Sequence, residues 1–300
     1  MTMTGAAQLE GKACTIDSLI GDVRRQLRAA GIESADQEAL WLIEHALGLS
    51  GLRQVVDRDQ LLSKDSVATV REIVARRTRR EPLQYILGTQ EFYGLEFEVN
   101  STVLIPRPET ELLVRETVRR LTGVPRPTLI DVGTGSGCLA VTLARSIPEG
   151  RMLAIDLSAR ALETAKRNGQ RHAVETSITW MEGNLLAPLD GLSLEGAVTA
   201  IVSNPPYIRE SDWSGLQPEV SRYEPRTALV AGPRGTELHE RLLIEAIPYL
   251  APGGLLLMEL GLGQSSEVQE LVRTRPAYSY VEIVPDEAGI DRVLIVGRAG

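Results

Sequence analysis

From residue 128 to its end the chain alternates short apolar runs with amphipathic helical patterns, and few folds accommodate that order. The runs are Thr128–Val132, Met152–Asp156, Ser177–Met181, Val198–Ser203, Gly254–Leu260, Tyr278–Val284 and Val293–Val296. Helical patterns fall at Cys138–Ser146, Ser158–His172, Thr236–Tyr249 and Gln264–Arg273. Helices inserted between successive strands make a sheet mostly parallel and cover both of its faces. The last two runs have no helix between them, which predicts an antiparallel pair at one edge. Residues 208–235 show no clear period, and a loop of that length is usually functional.

The N-terminal portion obeys a different rule. Leu19, Val23 and Leu27, then Leu40, Ile43 and Leu47, then Val67, Val70 and Ile73 recur at helical spacing, with almost no strand signal. Asp17 or Ser18 is placed to cap the first helix and Gly31 to end it, while Ser34 precedes the second and Gly48 closes it. These helices are expected to end near Glu81-Pro82, because the residue before a proline is pushed out of the helical region. Alternation from Phe92 to Val99 then predicts a hairpin. Pro108 suits the first turn of a helix running to about Leu121. The expected organisation is a helical domain over 1–88, a hairpin linker over 89–105 and an α/β domain over 106–300.

Composition narrows the class further. Residues 1–90 hold twelve Lys/Arg and twelve Asp/Glu, so the whole net charge of −8 lies on residues 91–300. A groove that tracks phosphates needs the opposite sign. The one basic cluster, Arg71, Arg76, Arg77, Arg79 and Arg80, is either a solvated helix face or a contact for an acidic partner or RNA. Two cysteines and three scattered histidines provide neither a disulfide framework nor a zinc site, so no metal is expected. No apolar stretch approaches the roughly 20 residues that cross a bilayer. The opening Met-Thr-Met-Thr-Gly-Ala-Ala-Gln lacks the marks of a signal peptide, so a cytoplasmic location is expected.

Two motifs carry the chemistry. Leu129-Ile130-Asp131-Val132 runs into Gly133-Thr134-Gly135-Ser136-Gly137 and then a helix start, a strand–turn–helix in which glycines let a ligand approach the backbone. In an open α/β sheet the ligand lies beyond the carboxyl ends of the strands, beside the first such turn. Asp156 ends the second strand, where a carboxylate can accept both hydroxyls of a ribose. A nicotinamide fingerprint spaces its glycines as G-x-G-x-x-G, whereas Gly133, Gly135 and Gly137 alternate. Asp131 suits a cationic ligand such as S-adenosylmethionine, and it equally suits a buried hydrogen-bonding anchor; both readings stand.

The second motif, Asn204-Pro205-Pro206-Tyr207, follows the fourth strand directly, which puts it in the same cleft as the glycine loop. Two prolines remove two backbone donors and fix φ, leaving carbonyl oxygens beside the Asn204 side-chain oxygen. Two acceptors then face one planar –NH₂ group. The nitrogen of an amide or aromatic amine is a poor nucleophile while its lone pair is delocalised. Hydrogen bonds from its two N–H groups to the Asn204 oxygen and the Pro205 carbonyl would favour pyramidalisation and aim the lone pair at a methyl sulfonium. Tyr207 can cover one face of the group.

Asn204–Tyr207 resembles the signature of amino-group methyltransferases that use S-adenosylmethionine, which include adenine-N6 DNA methyltransferases and protein-glutamine methyltransferases. Pro82–Gly88, Glu91–Gly94, Leu104-Ile105-Pro106-Arg107-Pro108-Glu109-Thr110-Glu111 and Arg222–Leu229 are similar to the peptide-chain release factor glutamine N5-methyltransferase family over nearly the whole chain. The ribosomal-protein branch usually has Ser-Pro after Ile-Pro-Arg, so Pro108–Glu111 favours the release-factor branch. The resemblance implies a seven-stranded, mostly parallel Rossmann-like methyltransferase sheet with a small helical N-terminal domain that docks substrate. It implies that Gly133–Gly137, including Thr134 and Ser136, hold the methionine part of the cofactor and Asp156 its ribose. Gly183-Asn184-Leu185 would border the adenine, with Asn184 where relatives commonly have Asp. Asn204, Pro205, Pro206 and Tyr207 would hold the glutamine of a Gly-Gly-Gln loop in a translation release factor, and Asn204 would also touch the cofactor. Arg107, Glu109 and Glu111 would line or brace the peptide entrance, or serve only as charges in a first helical turn. A nucleic-acid adenine methyltransferase and a non-catalytic cofactor-binding module are the competing classes. The acidic catalytic region opposes the first, and the intact tetrapeptide opposes the second.

Overall fold

A computed structural model describes residues 14–300, so the N-terminal stretch read against a signal peptide lies outside the described residues. The chain divides into two compact units, one reaching to Leu87 and one spanning Gly88–Gly300. Among the described residues no helix is long and apolar enough to cross a membrane.

The first unit is a helical bundle of α1 (Ile16–Ala29), α2 (Ala35–Leu47), α3 (Gly51–Val56), α4 (Lys64–Thr78) and α5 (Leu83–Leu87). Leu19, Val23 and Leu27 meet Leu42, Ile43, Val70 and Val74 in its core, as their 3–4 spacing requires. The cap of α1 is Thr15 rather than Asp17 or Ser18. Its hydroxyl accepts the Ser18 N–H at 3.2 Å and the Ser18 hydroxyl accepts the Thr15 N–H at 2.9 Å, a capping box in which Ser18 is the inner partner. Gly31 and Gly48 follow their helices at φ +72° and +64°. Much of the basic cluster is consumed internally. Arg77 is buried against Glu38 at 2.6 Å, Arg76 pairs with Glu81 at 2.6 Å, and Arg80 donates to the Gly31 carbonyl at 2.7 Å.

The second unit opens with the hairpin β1 (Thr89–Phe92) and β2 (Leu95–Glu98), turned by Tyr93 and Gly94, both at positive φ. Phe92 and Phe97 meet edge to face and join the core beneath the main sheet. That sheet contains β3 (Thr128–Val132), β4 (Arg151–Asp156), β5 (Ile178–Glu182), β6 (Val198–Ser203), β9 (Leu250–Glu259), β10 (Tyr278–Pro285) and β11 (Asp291–Arg298), in the order β10-β11-β9-β6-β3-β4-β5. Only β11 runs antiparallel to its neighbours, so the predicted edge pair β10–β11 forms. Strand β9 begins four residues before the expected Gly254. A register shift absorbs Pro252-Gly253-Gly254, and a Cβ on Gly254 would stand 2.8 Å from the Val198 carbonyl.

Alternate residues of each central strand enter different cores. Ile130, Leu153, Ile201 and Leu256 pack with α10 (Glu237–Glu245) and α11 (Ser265–Arg273). Leu129, Met152, Ala200 and Leu257 pack with α6 (Glu111–Leu121) and α7 (Cys138–Ser146). Helix α8 (Ala159–Arg171) also flanks β4 and β5, its first turn capped by Ser158. Residues 208–235 form a structured excursion. A parallel pair, β7 (Ile208–Arg209) with β8 (Val230–Gly232), encloses the short helix α9 (Pro218–Tyr223) and two 3-10 turns. Strand order reverses between β3 and β6, which opens a crevice at their carboxyl ends.

Candidate active site

The glycine loop is held from behind. The N–H groups of Gly133 and Thr134 both reach the Ile155 carbonyl, at 2.9 and 3.0 Å, which ties the loop to β4. Gly133, Gly135 and Gly137 all have positive φ, a backbone region that side chains rarely adopt. A Cβ on Gly137 would stand 3.0 Å from the Ala165 Cβ, so this glycine sets how closely α7 and α8 approach. At Gly133 no atom lies within 4 Å of that direction. Thr134 and Ser136 are buried, neither lines the cavity over the loop, and the Thr134 hydroxyl is directed to Asp131.

Asp131 proves to be the anchor. It is fully buried, and its Oδ2 accepts the Thr134 hydroxyl at 2.6 Å and the Ala140 N–H at 3.1 Å, while Oδ1 has no hydrogen-bond partner. Burial pushes its carboxyl up to about 7, against the pull of those two bonds.

A cavity of about 370 Å³ lies over the loop, within the range of small-molecule sites. Gly133, Gly135, Asp156, Asn184, Leu185, Asn204 and Pro206 line it, so residues predicted from two separate motifs share one wall. The Asp156 carboxylate is aimed by the backbone, with Oδ2 accepting Gly135 N–H at 2.8 Å and Oδ1 accepting Ser158 N–H at 2.9 Å. Each oxygen retains a further lone pair for a diol. Burial raises this carboxyl, and the backbone bonds partly offset the rise. The Asn184 oxygen faces Arg241 at 3.4 Å, a long contact that leaves most of its acceptor capacity free.

If the aimed Asp156 carboxylate holds the ribose of S-adenosylmethionine, as the sequence resemblance implies, Asp156→Ala should weaken binding of that cofactor by roughly 1.5–3 kcal/mol, the usual worth of hydrogen bonds to a charged group. Calorimetry that finds unchanged affinity in a folded variant would remove it from the site.

The tetrapeptide leaves β6 with Ser203, whose hydroxyl donates to the Val132 carbonyl at 2.7 Å and pins the two strand ends together. Asn204 Nδ2 donates to the Thr110 hydroxyl at 3.0 Å, and Thr110 donates to Glu259 at the end of β9 at 2.6 Å. Pro205 is buried. The Tyr207 hydroxyl lies 3.3 Å from the other Glu259 oxygen, and its carbonyl accepts Gln264 Nε2 at 2.9 Å. Burial pushes the Glu259 carboxyl up to about 7, and burial beside that carboxylate raises the Tyr207 hydroxyl well above its usual range.

The three charged residues of the Pro106–Glu111 segment separate. Arg107 pairs with Glu224, whose side chain is only 1% exposed and whose other oxygen accepts the buried Ile105 N–H at 3.1 Å. Glu111 accepts the Tyr93 N–H at 2.9 Å and so braces the hairpin turn. Glu109 is exposed. Thr110, Glu259, Glu224 and Gln264, together with the cavity wall at Ser101–Leu104, Thr227 and Ala228, carry no local sequence signal of a site. Leu104, Thr110, Glu224, Thr227 and Ala228 do lie inside the segments that mark the family resemblance, but nothing there distinguishes them from their neighbours.

A second concavity of about 370 Å³, on the face of the β9–β11 edge, includes Arg120 and Arg298. Arg120 is ion-paired with Glu116 and Glu282, and Arg298 donates to the Leu250 carbonyl.

Sequence models of two families match the chain, the PrmC N-terminal domain over residues 18–88 and the methyltransferase small domain over residues 108–216. A release factor glutamine methyltransferase from Geobacter sulfurreducens is 43% identical over 287 residues, which covers 95% of this chain and 97% of that protein. One from Moorella thermoacetica is 38% identical over 284 residues, covering 95% and 99%. Among solved structures, the hMettl16 catalytic domain in complex with MAT2A 3′UTR hairpin 6 superposes with a TM-score of 0.55 at 19% identity, over 75% of this chain and 81% of that one. At that identity the likeness concerns the fold alone.

Proposed function

The chain belongs to the release factor glutamine methyltransferase family, and on that premise we propose that it methylates the side-chain amide nitrogen (N5) of the glutamine in the Gly-Gly-Gln loop of a translation release factor, with S-adenosylmethionine as donor. One observation carries the reading: the Asn204 amide, its nitrogen held by Thr110, lies on the same cavity wall as Gly133 and Asp156. The residues fit the cofactor, since the space before Gly133 is open and Asp156 has lone pairs to offer a ribose. When bound, S-adenosylmethionine supplies an electrophilic methyl on a sulfonium.

The protein's contribution is then orientation and exclusion of water. Asn204 Oδ1 and the Pro205 carbonyl accept the two N–H bonds of the substrate amide and hold its nitrogen toward the methyl. Tyr207, anchored at Glu259, walls the planar group. One amide proton leaves to solvent after transfer, and no side chain is assigned as its base. Holding both reactants in a near-attack geometry can supply most of the rate. Asn184 and Leu185 border the adenine, while Arg107, held by Glu224, braces the peptide entrance. We assign the helical unit, residues 1–88, to docking the release factor, and a cytoplasmic location follows from that partner.

Radiolabelled methyl from S-adenosylmethionine should appear on a release factor carrying Gly-Gly-Gln and vanish when that glutamine is replaced. Duplex and single-stranded DNA should stay unlabelled, because the net charge of −8 resides on residues 91–300 and repels phosphates. The intact factor should outpace the bare loop peptide, since remote contacts can supply binding energy for orientation. Label on DNA adenine with none on any release factor would replace this reading with the nucleic-acid alternative.

A further inference from the structure

A side-chain amide offers a donor at one end and an acceptor at the other, and the two ends have nearly the same shape. The substrate amide proposed above presents only N–H groups toward Asn204, so the reading requires that Asn204 turn its oxygen to the substrate. Nothing in the Asn-Pro-Pro-Tyr motif itself determines that choice. An amide flipped by half a turn would set N–H against N–H.

We propose that Glu259, acting through the Thr110 hydroxyl, is the positioning residue that fixes the orientation of the Asn204 amide and thereby presents its oxygen to the substrate. The proposal rests on the glutamine methyltransferase reading and deepens it.

Thr110 has a single O–H, and an ionised carboxylate can only accept. The Thr110 proton therefore goes to Glu259, at 2.6 Å, in a buried pair. Toward Asn204 the same oxygen can offer only a lone pair, so the group facing it at 3.0 Å must be the NH₂. The Asn204 oxygen is left pointing elsewhere, on a residue that lines the cofactor cavity. The second Glu259 oxygen meets the Tyr207 hydroxyl, so one carboxylate at the end of β9 governs both ends of the tetrapeptide.

Protonating Glu259 would dissolve this logic, because a carboxylic acid can donate to Thr110 and release the threonine proton toward Asn204. Several groups bear on that proton. Glu109, in the turn before α6, favours it and Arg292 of β11 opposes it, while Tyr207 hydrogen-bonds the carboxyl directly. His239 of α10 meets the Glu259 backbone carbonyl at 2.8 Å, and the Cys138 thiol of α7 feels the carboxylate's field. With its carboxyl near 7, Glu259 gains its charge as pH rises through that value. Turnover should therefore rise over the same window.

Steady-state kinetics on a release factor test this with Glu259→Gln, Thr110→Val and Thr110→Ser, read beside Asn204→Ala. Glu259→Gln can donate to Thr110, and Thr110→Val keeps the shape without the hydroxyl. Each should lower kcat about ten- to a hundredfold, the equivalent of one charge-assisted hydrogen bond. Affinity for S-adenosylmethionine, measured by calorimetry, should stay within about twofold, a difference well under one hydrogen bond. Thr110→Ser should recover most of what Thr110→Val loses. The rise of kcat through pH 7 should flatten in Glu259→Gln, where the buried Asp131 is unchanged and serves as an internal control. Wild-type kcat in both Glu259→Gln and Thr110→Val, with Asn204→Ala inactive, would overturn the positioning role and leave the methyltransferase reading intact. Full activity in Asn204→Ala would instead overturn that reading. If Glu259→Gln fails to fold, the Val and Ser variants at Thr110 still decide, because loss of kcat in both alike would refute a role for the hydroxyl.

Discussion

Asn204→Ala should lower turnover by on the order of 10²–10³, comparable with the loss of one preorganised polar group from an active site. Its oxygen is the acceptor proposed to hold the substrate nitrogen, and its removal leaves that nitrogen conjugated and poorly nucleophilic. Cofactor affinity should change little, since Asp156 and the glycine loop, which line the same cavity, are untouched. Folding should also be nearly unaffected, because the half-buried amide makes one hydrogen bond, to Thr110, in an otherwise preserved network. Single-turnover measurements on saturated enzyme separate these terms. Near wild-type rates would sink the two-acceptor mechanism, and a matching loss of cofactor affinity would recast Asn204 as a cofactor residue.

The second large effect concerns folding. Glu224→Ala should cost about 2–4 kcal/mol of stability, the range expected when one partner of a buried pair is removed. Its carboxylate satisfies the buried Ile105 N–H and pairs with Arg107, and both become orphans together. Arg107 is about one-third exposed and can turn partly to water, so the Ile105 amide carries much of the cost. Pro225, Thr227 and Ala228, which follow Glu224, form part of the cavity wall, so cofactor affinity should fall as well. Urea denaturation with an unchanged m-value would register the loss as stability alone. A shift below about 1 kcal/mol would mean that water replaces the carboxylate at Ile105.

Both variants act on side chains whose importance was unequally visible in the sequence. Asn204 was legible because two prolines and a strand end define its surroundings within a few residues. Glu224 stands out in the sequence only as part of a family resemblance, and its partners stand 117 and 119 residues away. The same division runs through the fold. Apolar period assigned all seven strands of the main sheet, and the helix-free link between the last two runs implied their antiparallel pairing. Such features are set by neighbours along the chain, where steric and hydrophobic rules act directly. The early start of β9 and the 3-10 and β7–β8 structure of residues 208–235 escaped that reading, because Pro252-Gly253-Gly254 and the irregular loop carry no period of their own.

The sequence by itself therefore determined the seven strands of the main sheet, the glycine turn, the position of Asp156 and the tetrapeptide at the end of β6. Only the tertiary structure decided what each polar group faces. It buried Asp131 as an anchor behind the loop, directed Glu111 to the hairpin turn, and brought Thr110 to Asn204 across 94 residues and to Glu259 across 149. The physical reason is that local propensity acts over a few residues, whereas a buried donor or acceptor must be satisfied by whatever the packed strand ends bring near it. In this protein the pairing of β9 with β6 sets those neighbours, and the Thr110 and Glu259 pair that orients Asn204 exists only once these two strands lie side by side and the turn before α6 reaches their ends.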